Sequence, residues 1–146
     1  MAKSESKKRE KQVAALPVHV SEEGEVTVLV ITSRDTGRWI IPKGWRMSGK
    51  KDCEAAAREA YEEAGVTGTI DKTPIGTYDY DKWISEKKSI PCRVCVYVLH
   101  VEKKHKNWPE NDERRRRWLS PEKAAKRVLE PELKGLLLGL GNRKAA

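Results

Sequence analysis

The segment "KKDCEAAAREAYEEAGV", residues 50–66, constrains the fold more than any other part of this chain. Strong helix formers run from Cys53 to Ala64, with Asp52 as the expected N-cap and Gly65 as the expected stop. Cys53, Ala56, Ala57, Ala60 and Ala64 recur at helical spacing and make one stripe of small side chains. A stripe that small lets a helix lie very close to a flat apolar surface, which points to a sheet. Glu59, Glu62 and Glu63 fall together on the adjoining face, where like charges destabilise an isolated helix. Arg58, four residues before Glu62, can hold one of them, and the others need a different compensation.

Two readings of the acids stand side by side. One is a solvated acidic face. The other is a cluster of hard oxygen ligands of the kind Mg²⁺ or Mn²⁺ takes, with positions left open for water and phosphate. Cations surround the cluster in sequence: Lys43 precedes the loop that begins at Gly44, and Arg46, Lys50 and Lys51 lie between it and the helix.

The remaining chain reads as strands with two further helices. "EVTVLVITS" is β-branched and nearly all apolar, a buried strand, and "VHV" before it is a shorter one. "RDTG" is a turn, "RWIIP" a short strand closed by Pro42, and residues 44–51 a loop. "VTGTI", "IGTYDYDKW", "SIPCRVCVYVLHVE" and "RRRRWLS" complete the strands. "SPEKAAKRVLE" starts a helix with Ser as cap and Pro at its first position, and "PELKGLLLGL" is a third helix. The expected organisation is a basic solvated tail over 1–16, one domain over 17–140, and a frayed end over 141–146. The class is α+β with a mixed sheet.

The chain has 146 residues, 36% of them charged, and a net charge of +8, which favours a polyanionic partner. Its three cysteines argue against a disulfide framework. Cys92 and Cys95 lie in a strand, where residues three apart face opposite ways. His19, His100 and His105 lack zinc-ligand spacing. The N-terminus is charged where a signal peptide is apolar, and no apolar run is long enough to cross a bilayer, so the expectation is a soluble cytoplasmic protein without a membrane partner.

Gly44, Arg58-Glu59, Ala60, Glu62-Glu63 and Gly65-Val66 together resemble the Nudix box, the signature of the Nudix hydrolases. The match departs at Lys50, where the family has Glu. "SRDTGRWIIPKG" further resembles the segment leading into the box in diphosphoinositol polyphosphate phosphohydrolases, through Ser33-Arg34, Arg38-Trp39-Ile40 and Pro42. The resemblance implies a Nudix-type α/β/α sandwich in which Glu59, Glu62 and Glu63, with the Gly44 carbonyl, hold Mg²⁺, with Mn²⁺ able to substitute. Arg58 would orient a glutamate, and one of the acids would serve as base. Ser33, Arg34, Arg38, Lys43 and Arg46 would hold substrate phosphate, and Lys50 would either join them or face solvent.

The implied activity is hydrolysis of a phosphoanhydride bond in a polyphosphorylated small molecule, either a dinucleoside polyphosphate or a diphosphoinositol polyphosphate. Other substrates within the same family would be ADP-ribose, an oxidised nucleotide or a capped RNA end, and a non-catalytic ligand- or RNA-binding module is a further reading. Nucleic acid is the lesser partner. Arg114–Arg117 would alternate between the two faces of a strand rather than form one patch. Trp39 and Trp118 read as core, whereas Trp45, Trp83 and Trp108, in or near loops, are candidates to stack on a base. Glu110 and Glu113 read as surface charge or as an added ligand or base.

Overall fold

The computed structural model describes residues 8–145. At its centre is β1, Glu10–Val20, buried from Gln12 to Val18. A strand buried on both faces needs partners on both edges and a layer above and below. On one edge runs β7, Ser89–Lys104, parallel to β1 from the pair Glu10 and Cys92 to the pair Val18 and His100. On the other edge two antiparallel strands share β1. β4, Lys43–Trp45, lies opposite Gln12–Ala14, and β2, Val26–Thr32, lies opposite Val18–Val20.

Four more strands widen the mixed sheet. β3, Trp39–Ile40, and β8, Arg116–Leu119, pair antiparallel with β2. β5, Val66–Ile70, and β6, Gly76–Trp83, take successive stretches of the free edge of β7.

Strand alternation sorts the core into two layers. Val13, Ala15, Leu29, Ile31, Tyr97 and Leu99 face α1, Asp52–Glu59, and the π-helical turn Ala60–Ala64 that continues it. Ala14, Leu16, Val18, Val28, Val30 and Val96 face the other way. They meet Ala124 and Val128 at α2, Pro121–Arg127, and Leu133 and Leu137 of α3, Pro131–Ala145. Helices therefore cover both faces, as the α/β/α expectation had it. Ser120 caps α2 by accepting the Lys123 N–H at 3.2 Å.

Several expectations need correction. Residues 10–16 are not tail but the first half of the central strand, and residues 1–7 lie outside the described residues. The charge of "KREK" and the following proline concealed this. Pro17 does not end the segment, because it lies where β1 passes from β4 to β2 and its missing N–H costs no ladder bond. The end over 141–146 is likewise not frayed as far as it is described: α3 continues to Ala145, and residue 146 lies outside the described residues. Lys43–Trp45, in part read as loop, is drawn into the sheet by β1. The N-cap is Lys51, whose N–H is held by Glu54 at 3.0 Å, so Asp52 is the first helical residue. Ala55, not Ala57, joins the buried stripe.

A chain starting at Pro17 would lose the burial of Val13–Leu16 and most of the parallel pairing to β7. Urea titration of that truncation is expected to show no cooperative transition, whereas the full chain unfolds in one.

Candidate active site

The acidic residues lie where α1 changes its winding. The turn Ala60–Ala64 is π-helical, and Gly65 ends it in the left-handed region at φ 69°, with its N–H on the Tyr61 carbonyl at 3.0 Å. Such wide turns recur at functional positions. Small side chains below allow the close approach: Ala55, Ala56, Ala60 and Ala64 are all fully buried on the sheet. This approach presses the Glu59 carboxyl against the backbone of Gly44, where an added methyl would stand 2.9 Å from Glu59 Oε1. Only glycine leaves that space.

Glu59 and Glu63 form the centre of the site. Glu63 is 8% exposed, and its Oε1 accepts the Lys43 backbone N–H at 3.2 Å. Burial raises the pKa of both acids, and for Glu59 the neighbouring Glu63 adds to it, pushing Glu59 up to about 8. The contact between the two carboxyls favours the protonated form of Glu59 and the ionised form of Glu63. Glu62 is turned to Arg58, with Nε to Oε2 at 2.7 Å. Among the described residues no three ligating groups already converge as a cage, so the structure brings two of the three acids together and holds the third beside them.

The loop between β7 and β8 wraps the end of this turn. Glu110 N–H donates to the Glu62 carbonyl at 3.1 Å, and the Trp108 indole N–H donates to the Glu63 carbonyl at 3.2 Å. Arg116 Nη1 donates to the Ala64 carbonyl at 2.8 Å while its guanidinium stacks 4.0 Å from the Trp108 ring centre. Trp108 is therefore a cap on the helix end rather than a free stacking surface. Arg114, whose side chain is 7% exposed, lies 2.8 Å from Glu110 and 3.7 Å from Glu63. Glu110 is thus a fourth carboxylate at the pair, and its charge helps raise the pKa of both Glu59 and Glu63.

A model of the NUDIX domain matches residues 10–138. The chain belongs to the Nudix family. It is 35% identical over 122 residues to Nudix hydrolase 16, mitochondrial, of Arabidopsis thaliana, covering 81% of this chain and 67% of that protein. It is 35% identical over 118 residues to human diphosphoinositol polyphosphate phosphohydrolase 3-beta, covering 80% and 67%. The chain spans 46% to 67% of the length of the plant relatives it matches. A C. elegans Ap4A hydrolase shares the fold, with a TM-score of 0.67 at 22% identity over 92% of this chain and 98% of that one. No described helix is long and apolar enough to cross a membrane.

The basic residues around the Nudix box separate into two groups. Ser33, Arg38 and Lys43 line one cleft. Arg38 is already bound to Glu130 at 2.8 Å, and Ser33 closes its own turn with Thr36. Lys43 has no ion-pair partner among the described residues: its backbone touches Glu63 while its ammonium sits 4.8 Å over the Tyr80 ring, and burial lowers its pKa. Arg34, Arg46 and Lys50 do not line that cleft. Arg34 pairs with Glu113 at 2.9 Å, Arg46 with Asp52 at 3.0 Å, and Lys50 is exposed in the turn before α1. Sequence reasoning did not find Arg114 as the partner of Glu63. Strand alternation did carry one usable signal, since it set Arg114 and Arg116 on the same face.

The raised pKa of Glu59 has a consequence for stability. A carboxyl held above its ordinary 4.5 favours folding most below that value, and the contribution is lost as pH rises through about 8. In EDTA, wild type should therefore lose melting temperature relative to Glu59→Gln between about pH 4.5 and 8. A difference that stays flat over this window would contradict the buried pair.

Proposed function

We propose that this chain is a divalent-metal-dependent hydrolase of phosphoanhydride bonds in polyphosphorylated small molecules, with dinucleoside polyphosphates and diphosphoinositol polyphosphates as the candidate substrates. The observation that carries the proposal is the Glu59–Glu63 pair. Glu59 is packed against the Gly44 backbone and Glu63 beside it on the Lys43 N–H, with one guanidinium 3.7 Å from Glu63, so the site is short of positive charge. Mg²⁺ or Mn²⁺ fits that donor set, and Glu59, Glu63, the adjoining Glu62 and the Gly44 carbonyl would hold it. When bound, it supplies polarisation of a phosphoryl oxygen, a more acidic water and neutralisation of the leaving group.

The other residues act around the ion. Arg58 fixes the rotamer of Glu62 through their 2.7 Å contact. Arg114 holds Glu110 and Glu63 on one guanidinium, which favours the ionised form of Glu63 against its burial. Lys43 has the position to meet phosphate, with its backbone on Glu63 and its ammonium in the cleft. Phosphate there would restore the charge on an ammonium that burial disfavours. The names of the relatives and of the structural neighbour, which concern diphosphoinositol polyphosphate and Ap4A, support this substrate range.

The test is a panel with Mg²⁺: diadenosine tetra-, penta- and hexaphosphate, diphosphoinositol phosphates, ADP-ribose, oxidised dGTP and capped RNA. Glu63→Gln and Glu62→Gln should each lower kcat on the order of 10²-fold or more, with the melting temperature kept. Gly44→Ala should do the same by displacing the Glu59 carboxyl, the flexible partner in that contact. Unchanged turnover in both glutamine variants would remove the site.

A further inference from the structure

The cleft lined by Lys43, whose backbone N–H is held by Glu63, has a volume of about 510 Å³, and its charge is balanced. Arg38, Lys43 and Lys82 line it, and so do Asp35, Asp81 and Glu86. Arg38 is taken by Glu130, which leaves two cations that, among the described residues, have no ion-pair partner. A cyclitol phosphorylated around its ring carries about −1.5 to −2 per phosphate. Such a ligand would set several phosphates against three carboxylates with only Lys43 and Lys82 to offset them. A linear polyphosphate makes a smaller demand, since most of its charge runs along the acid and metal site and only its first phosphates enter the cleft, at Lys43 and Lys82.

The rim of the cleft is apolar where a charged ligand would need cations. Trp83 is 62% exposed and Ile84 49%, next to each other at the tip of the β6–β7 hairpin. The hairpin is closed by the Ile84 N–H on the Lys88 carbonyl at 3.0 Å, so the pair is presented on a formed turn. Trp83 and Ile84 both line the cleft, and a flat π-face there is what a nucleobase stacks on.

We infer that the site is selective for nucleoside polyphosphates over densely phosphorylated cyclitols, with Trp83 as the specificity-determining stacking surface, backed by Ile84. The inference rests on the hydrolase reading above and narrows it. The base occupies the hairpin end of the cleft, the first phosphates meet Lys43 and Lys82, and the scissile anhydride lies toward Glu59 and Glu63.

The full chain in Mg²⁺ is assayed on diadenosine tetraphosphate and on a diphosphoinositol pentakisphosphate, and the dinucleotide is expected to have the higher kcat/KM. Trp83→Ala should raise KM for the dinucleotide about tenfold while kcat stays within about twofold, and Trp83→Phe should recover most of the loss. In parallel, Trp83→Ala should weaken binding of a methylene-bridged diadenosine tetraphosphate analogue and leave inorganic tripolyphosphate binding unchanged. A preference for the cyclitol, an unchanged KM and analogue affinity in Trp83→Ala, or an effect of that variant on self-association alone would overturn the inference. Hydrolysis of neither substrate would defeat the hydrolase reading instead, and the analogue titration would still measure the Trp83 contact.

Discussion

The approach of α1 to the sheet sets most of the geometry at the acidic site. With only cysteine and alanine on its buried stripe, the helix lies close enough to β1 and β4 that the Glu59 carboxyl rests on the Gly44 backbone. Larger side chains there would lift the helix and part the acid from the loop. The same closeness takes Glu63 out of water, so that its charge depends on neighbours rather than on solvent. A packing decision thereby becomes an electrostatic one.

The second layer of control is the β7–β8 loop. Four successive carbonyls at the end of the π turn, Glu62 through Gly65, accept hydrogen bonds from Glu110, Trp108, Arg116 and His105. Helix ends leave carbonyls unsatisfied, and here a distant segment satisfies them. Satisfying them also delivers Glu110 and Arg114 to the acid pair, so one set of contacts both caps the helix and completes the cluster. The four-arginine run is consequently divided in role: Arg114 and Arg116 turn inward, and Arg115 lies over Trp39 at 5.8 Å.

Much of the fold was legible because periodicity reports burial directly. The buried, nearly all-apolar run "VTVLVIT", the long β7 strand and the Gly65 stop reappear in place, and the small stripe of α1 reappears with Ala55 instead of Ala57. The first strand was not legible, since its flanking charges and Pro17 look like a solvated segment until the parallel neighbour β7 and the change of partner along β1 are known. The π winding was equally invisible, as the sequence of an α-helical turn would read the same.

What the sequence determined by itself was the chemistry available at the site: three glutamates within one turn, an arginine to hold one of them, a glycine loop before the helix and cations on either side. Local spacing is enough for that, because residues three and four apart on a helix are neighbours wherever the helix lies. Tertiary structure alone decided which acids are buried and which cations remain free. Arg34, Arg38 and Arg46 are already bound to Glu113, Glu130 and Asp52, whereas Lys43 has no ion-pair partner among the described residues. Desolvation and pairing across 79 or 92 residues of chain depend on what folds alongside, and no local pattern encodes that.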